Sequence, residues 1–505
     1  MIEQRQYQLF LISEILRARD EGKSLIIELD AGLGKRILSY LLLKHLGKNE
    51  RLLIITPSQA SVRDTYTTFL KLYKEEKGNP EEIGYIAAGI PSRLKENILR
   101  EKRVVISTPI SLANILRRKP DLINSFKIII VNEVDKVVRR IAEEVPEGED
   151  EESVFLTADK ISNSSIKRRL RVVYPWSELI KHFPDDAIII GMSGTLRDKH
   201  LLRTEGKILF KPELETLLDT LFKGREVDII TMDKIIRGTD ISKFLLKNIT
   251  IIRPIGVFDD KVKKILDALT EEMNEVAKRL AKRYEKMLED SFTTTVEKAI
   301  GLIPDTDFLK RKFLRLALIR KFVSASIPEH YSKFLKKRGI KRIIESRTGE
   351  KIDELLPKES TKIQKILEIA ERWLEANRKV TILTSYVRVA IKILEKFKER
   401  GYKTFLLTGK TFDKGGVLSE FKEYKEPAVL VMTPVGERDI DLAQIDLIIV
   451  HDVISTVKTM YQRFKRGRRS RVLILYYEDT FEKEKVMTLL DKMKRKYPWT
   501  IKIEK

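Results

Sequence analysis

The chain has 505 residues, 42% of them hydrophobic and 34% charged, a length for two or three domains each with its own core. It has no cysteine and five scattered histidines, which excludes disulfides, thiolate metal sites and cysteine nucleophiles and leaves no histidine spacing for a metal. A formal net charge of +23 makes polyanions, nucleic acid first, the partners to expect.

The N-terminus, Met1 to Arg5, lacks the apolar core of a signal peptide, and no apolar run approaches the length of a membrane span. The expected setting is the cytoplasm, at the nucleoid in a prokaryote, with no membrane partner. The first strand pattern, Ser24 to Leu29, leads into Leu29-Asp30-Ala31-Gly32-Leu33-Gly34-Lys35-Arg36. Glycines after a strand let successive N–H groups face phosphates, and the lysine adds a point charge, so this is a phosphate-binding loop. Such loops end in Gly-Lys-Ser/Thr, whose hydroxyl ligates magnesium; here Arg36 takes its place.

Further β-branched runs follow at Leu52 to Thr56, Val104 to Ser107, Lys127 to Val131 and Ala187 to Gly191, separated by helical patterns. That alternation belongs to a parallel sheet covered on both faces. Glu143 to Glu152 is too acidic and turn-rich for a core element and predicts a mobile loop. From about Val257 to Lys351 strand signals give way to amphipathic helical patterns, beginning with Asp260 to Glu289, which predicts a separate helical insert. A second strand series runs through Val380 to Thr384, Thr404 to Leu407, Ala428 to Met432, Leu447 to Val450 and Val472 to Tyr476. The fold class is therefore α/β, with two parallel-sheet domains and an all-helical insert between them. The expected boundaries are 1–198 for the first domain, 199–256 for a connecting segment, 257–351 for the insert and 352–505 for the second domain.

Seven short motifs in order carry a resemblance. Arg5-Gln6-Tyr7-Gln8 precedes the phosphate loop; Thr56-Pro57-Ser58 and Ser107-Thr108-Pro109 end strands; Asn132-Glu133-Val134-Asp135 stands where Asp-Glu-Ala-His would be; Ser193-Gly194-Thr195 follows. Thr433 to Leu442 is similar to T-S-V-G-E-E-G-L-D-V, and Gln462 to Arg469 to Q-R-R-G-R-T-G-R. Together they make the chain resemble a superfamily 2 helicase, most of all the Hef branch, related to the Fanconi-anaemia M translocase and the RIG-I-like RNA sensors. The resemblance implies two RecA-like domains and ATP as the bound nucleotide. Arg5 and Gln8 lie at the adenine-side motif, and Gly32, Gly34, Lys35 and Arg36 at the phosphate loop. Glu133 takes the position that orients the attacking water, and Arg466 and Arg469 those of the arginines that reach the γ-phosphate.

The departures point away from hydrolysis. In an active member the loop hydroxyl and the first aspartate of Asp-Glu-x-His hold magnesium, and both are replaced here, by Arg36 and Asn132. Losing metal stabilisation of developing charge predicts a fall in hydrolysis on the order of 10² to 10⁴. Asp30 brings a carboxylate to a loop that attracts anions, so ATP binding is expected to be weak and magnesium doubtful. Arg36 as a built-in cation that lets nucleotide bind without metal is a further expectation. Asp439, Lys465 and Arg468 also replace family glycines.

Nucleic-acid binding stands on more residues. The resemblance places the backbone of one strand on Ser58, Thr108 and Thr433. The insert adds Lys310-Arg311-Lys312 with Arg315, Arg320-Lys321, and Lys336-Lys337-Arg338 with Lys341-Arg342; of these Lys312, Arg315, Lys337 and Arg338 are the expected contacts, with Phe313, Leu314 and Leu316 facing the core. Lys167-Arg168-Arg169 with Arg171 is another basic cluster. The nuclease motif and cysteine-bearing zinc domain found in parts of this family do not occur in the sequence, so strand cleavage is expected from a partner nuclease or other repair protein. The expectation is a nucleic-acid-binding, helicase-like protein acting on branched or forked DNA, favoured over RNA, in repair or recombination. The alternative is an active but divergent ATP-dependent DNA or RNA helicase.

Overall fold

The computed structural model describes residues 4–30, 32–142, 168–172, 175–194, 196, 199–204, 207–246, 249–286, 300, 303–304, 306–433, 445–453, 460–461, 464 and 471–504. The chain divides into two compact units, one comprising Met1–Ile141, Arg169–Leu202 and Phe210–Lys247, the other Ala142–Arg168, Arg203–Leu209 and Asn248–Lys505. Among the described residues no helix is long and apolar enough to cross a membrane. The acidic run Glu143 to Glu152 and Lys167 lie outside the described residues, whereas Arg168, Arg169 and Arg171 belong to a strand, Arg168–Val172, paired with Val138–Ala142.

The first unit holds a seven-stranded parallel sheet: β1 (Ser24–Glu28), β2 (Leu52–Ile55), β3 (Ile83–Ile86), β4 (Val104–Ser107), β5 (Ile128–Asn132), β6 (Ile188–Ser193) and β7 (Val227–Ile230), in the order β7-β1-β6-β5-β2-β4-β3. The central strands are buried at every position, as continuous Val/Ile/Leu runs covered on both faces must be. On one face Leu53, Ile55, Val105, Ile129 and Val131 pack with Leu112, Leu116 and Trp176. The two strands that the sequence pattern does not reveal, β3 and β7, are the sheet edges. In β7 an Asp inside a four-residue run is tolerated because that edge strand is only partly enclosed, whereas in β3 the buried Gly84 makes room for a helix, since a Cβ there would come 2.6 Å from Ile98.

The second unit repeats the plan with β8 (Thr250–Val257), β9 (Val380–Leu383), β10 (Lys403–Leu407), β11 (Ala428–Met432), β12 (Leu447–Val450), β13 (Arg471–Tyr477) and β14 (Ile501–Ile503), ordered β10-β11-β9-β12-β13-β8-β14 and parallel throughout. Residues 199–256 are thus more than a connection, since β7 closes the edge of the first sheet and β8 lies inside the second. Pro254 and Gly256 hide β8 in the sequence. Its β14 partner pairs only with Thr250–Ile252, so one side is unpaired from Arg253 onward, where a sheet accepts proline.

The helical insert is not a separate body. Helix Asp260–Arg283, capped by Asp259 on the Val262 N–H at 3.0 Å, buries Val262, Ile265, Leu269, Met273, Val276 and Leu280 at helical spacing. These residues share one core with Phe313, Leu316 and Phe322 of helix Phe308–Ala325 and with Val380, Ile382, Val429, Val431, Leu447 and Ile449 of the second sheet. The alternate positions Leu383, Leu430, Met432, Ile448 and Val450 line a core on the opposite face. Asp307 pins the insert: it caps the Lys310 N–H at 3.0 Å and accepts from Arg283 at 2.8 Å and Tyr284 at 2.7 Å.

A buried ion pair ties this core together. Lys362, 0% exposed, donates to Glu482 at 2.8 Å and to the Ser324 carbonyl at 2.9 Å, while Glu482 also accepts the Tyr477 N–H at 2.8 Å. Removing one partner leaves a buried charge unmatched. Lys362→Met is expected to destabilise the second unit by about 3–5 kcal/mol. The double variant with Glu482→Gln should cost less than Lys362→Met alone, and a denaturant-unfolding mutant cycle measures both.

Candidate functional site

In the first unit the phosphate loop leaves β1 and turns into helix Lys35–Lys44. Gly32 and Gly34 hold φ of +81° and +75°, a backbone that glycine alone adopts without strain. A Cβ at Gly34 would come 3.2 Å from the Gln8 side-chain nitrogen, so the glycine also makes room for helix Gln6–Asp20. That helix holds the loop: Tyr7 donates to the Leu33 carbonyl at 2.8 Å, and Gln8 accepts the Arg5 N–H at 3.2 Å. Arg5 donates to the Tyr7 hydroxyl at 3.2 Å and lies 4.4 Å from the centroid of the Phe244 ring. The resemblance named Arg5 and Gln8; Tyr7, between them, supplies a hydrogen bond to the loop.

Three neighbouring strand ends meet here. Lys35 donates to the Leu29 carbonyl at 3.1 Å and faces the Glu133 carboxylate at 3.3 Å. Glu133 sits just after β5 with φ of 53°, an unusual conformation for a residue with a side chain. The turn that holds it is locked from β6, where Ser193 donates to the buried Asp135 at 2.6 Å and its carbonyl accepts the Leu29 N–H at 3.0 Å. Asn132 is buried, and its Oδ1 has no hydrogen-bond partner among the described residues. Arg36 does not face this cluster; its guanidinium reaches Asp64 of helix Gln59–Glu75 at 3.4 Å on an exposed surface. Among the described residues no group of three or more His, Asp or Glu side chains could hold a metal. Thr195, Arg466 and Arg469 lie outside the described residues.

Ser58 and Thr108 follow β2 and β4, which are neighbours in register from Leu52 beside Val104 to Ile55 beside Ser107. Both hydroxyls act as N-caps, Ser58 on the Ser61 N–H and Thr108 on the Ser111 N–H, each at 3.2 Å. Two helix N-termini therefore open side by side on the edge where the phosphate loop lies.

In the second unit Thr433 is fully buried after β11. On the same edge, with β9 between, Asp452 after β12 accepts from the Thr384 hydroxyl at 3.1 Å, the Ser385 N–H at 2.9 Å and the Ser385 hydroxyl, and from His451 Nδ1 at 3.1 Å. Burial pushes the Asp452 carboxyl up, but the hydrogen bonds from His451 and Ser385 outweigh it and hold it down to about 2.

The expected insert contacts divide. Arg315 is exposed, as are Lys337 and Arg338, with the Lys337 ammonium 6.0 Å from the Phe334 ring centroid. Lys312 instead pairs with Glu272, which Arg347 also holds at 3.1 Å, so that lysine serves the fold of the insert. Arg338 lines an open groove of about 610 Å³ with Lys336, Lys341, Arg342, Glu345 and Ser346. Of its cations, Lys336 pairs with Asp353 at 2.7 Å and Lys341 with Glu345 at 3.8 Å.

Two family models match the chain: the res subunit of type III restriction enzymes over residues 1–198 and the helicase conserved C-terminal domain over residues 358–471. A protein of Methanocaldococcus jannaschii carrying the name of an ATP-dependent RNA helicase is 21% identical over 520 residues, 97% of this chain, and the chain spans 61% of that relative's length. The human antiviral innate immune response receptor RIG-I is 25% identical over 292 residues, 46% of this chain and 32% of the receptor. Among solved structures, the Hef helicase domain of Pyrococcus furiosus matches with a TM-score of 0.55 at 17% identity, covering 96% of this chain and 98% of that one. The likeness is one of fold, and the two seven-stranded sheets are RecA-like domains.

The Asp452 network has a pH signature. Because its carboxyl titrates lower in the folded chain than its ordinary 3.8, its contribution is complete above that value and is lost as pH falls toward 2. A contribution on the order of 2 kcal/mol is expected. Acid unfolding of wild type and Asp452→Asn checks it: the stability gap should close across that window and stay constant at higher pH.

Proposed function

We propose that this chain, which belongs to superfamily 2 of the helicases and is related to Hef and the RIG-I-like helicases, is a nucleic-acid-binding protein on a helicase frame whose ATP hydrolysis is weakened or lost. The donor set around Lys35 carries this reading. Magnesium in such a site bridges the terminal phosphates and neutralises developing charge. Here position 36 brings a cation turned onto Asp64, and position 132 brings a neutral carboxamide. Those residues do not fit a divalent cation.

What remains suits a phosphate. The two left-handed glycines expose loop N–H groups, the helix from Lys35 presents its positive end, and Lys35 supplies the charge. Glu133 now holds Lys35, so an incoming phosphate competes with a carboxylate for the same ammonium. Nucleotide binding on this reading is weak and independent of magnesium, and Arg36 serves as the built-in cation only by leaving Asp64.

Nucleic-acid binding on this reading uses the helix N-termini behind Ser58 and Thr108, and separately the exposed Arg315, Lys337 and Arg338 beside the basic groove of the insert. These groups address phosphates and not base edges, so affinity depends on salt and little on sequence. Branched or forked DNA in repair or recombination is the favoured substrate, with a nuclease or another repair protein as partner, and duplex RNA is the competitor.

Steady-state ATP hydrolysis with magnesium, with and without forked DNA or duplex RNA, tests the motor. The expected result is no rate above that of Lys35→Ala; a nucleic-acid-stimulated rate that the variant abolishes would establish a divergent working helicase instead. Restoring the metal ligands with Arg36→Thr and Asn132→Asp together should raise hydrolysis by on the order of 10² or more. Independently, the affinity for forked DNA should fall steeply between 50 and 200 mM salt, by roughly 10³ if six phosphates are neutralised, as measured by anisotropy.

A further inference from the structure

The strand Arg168–Val172 reads Arg-Arg-Leu-Arg-Val, and its partner Val138–Ala142 reads Val-Arg-Arg-Ile-Ala; the two form a ribbon of their own, apart from both large sheets. Five of these ten positions are arginine and none is Asp or Glu. Successive strand positions alternate between faces, so Arg169 and Arg171 share one face of the ribbon, while Arg139 and Arg140 occupy opposite faces. Whatever the pairing register, three arginine positions fall on the Arg169 face and two on the other. Like charges on neighbouring strands disfavour their pairing, so the folding of the ribbon does not account for its composition.

The root of the ribbon is fixed to the first sheet. Its first strand leaves directly after Val137 and its second ends shortly before Trp176, and both of those residues are buried in the core on one face of that sheet. Just upstream, Ser193 donates to Asp135 at 2.6 Å and holds the turn that carries Glu133. The ribbon therefore springs from the carboxyl edge of the sheet, where the helix N-termini behind Ser58 and Thr108 also open. Arg139, Arg140, Arg169 and Arg171 all belong to this unit. A row of arginines beside an edge that already favours anions calls for a polyanion.

We propose that this ribbon is a duplex-DNA contact that enters the major groove and meets the phosphates along its walls with arginine. That the partner is a nucleic acid rests on the reading above; the preference for a DNA duplex rests on the ribbon. Two strands about 4.8 Å apart make a body that the major groove of B-form DNA, about 12 Å wide, admits. The major groove of an A-form RNA duplex is deep and narrow and excludes it. A guanidinium stays charged and takes a phosphate through two parallel hydrogen bonds, which suits arginine at such positions.

The test compares the wild-type chain with the pair Arg169→Gln, Arg171→Gln and the pair Arg169→Lys, Arg171→Lys, by anisotropy on duplex DNA and duplex RNA of one sequence across a salt series. The glutamine pair should weaken duplex-DNA binding by about tenfold and lower the salt slope by about two. The lysine pair should keep the slope and recover most of the affinity, and duplex-RNA binding should stay at the wild-type value in both. Glutamine relieves repulsion within the ribbon, so that variant should melt at or above wild type, which separates a lost contact from a lost fold. Filling the major groove with methyl green should erase the difference between wild type and the glutamine pair; a difference erased only by netropsin, in the minor groove, overturns the assignment. Duplex-DNA affinity unchanged or raised in the glutamine pair also overturns it, and leaves the arginines to the chain's own acidic run, Glu143 to Glu152. So does an equal loss on duplex RNA. A wild type that binds no nucleic acid sinks the functional reading above as well, whereas salt-dependent binding indifferent to these variants sinks the ribbon alone.

Discussion

In a parallel sheet every strand hands over to its helix at the same edge, and both sheets of this chain obey that constraint. The consequence is chemical as much as architectural. Helix N-termini, each with unpaired N–H groups and a partial positive charge, collect on one side of the sheet. In the first unit that edge gathers the phosphate loop after β1, the Ser58 and Thr108 caps after β2 and β4, Glu133 after β5 and Ser193 at the end of β6. In the second it gathers Thr384, Thr433 and Asp452. An anion-seeking surface is what such a frame produces before any side chain is chosen.

The side chains then decide what the edge does with an anion. In the first unit a lysine and a glutamate hold each other across the loop, and the two positions that would add a metal's ligands carry an arginine turned outward and an asparagine turned inward. The frame around them is nonetheless maintained, since Tyr7 still fixes the loop and Ser193 still fixes the turn that carries Glu133. Binding geometry and catalytic chemistry are separable here, because one rests on backbone and buried hydrogen bonds and the other on a few charged ligands.

In the second unit the helical segment earns its order from the sheet. Its apolar stripe meets alternate residues of β9, β11 and β12 in a single core, and the Lys362–Glu482 pair joins three segments where that core reaches the last helix. Basic residues of the segment are consequently of two kinds. Lys312 is held by Glu272, whereas Arg315, Arg338 and Lys337, the last with its ammonium 6.0 Å from the Phe334 ring centroid, are exposed. A count of positive charge along the sequence does not separate them, because pairing depends on which carboxylate a neighbouring helix brings within reach.

The sequence by itself determined the α/β class, ten of the strand runs, the helical segment and the phosphate-loop motif, because each is a local pattern: period, glycine spacing, a lysine at a fixed offset. It left β3, β7, β8 and β14 unseen, since β7 and β14 are short edge strands with little burial, Gly84 interrupts β3, and β8 carries a proline where one flank is unpaired. Only the tertiary structure decided that Arg36 pairs with Asp64, that Lys35 pairs with Glu133, that Thr433 is buried, and that Lys362 pairs with Glu482. Those are contacts between residues far apart in the chain, and the partner of a charge is set by packing that no short window of sequence contains.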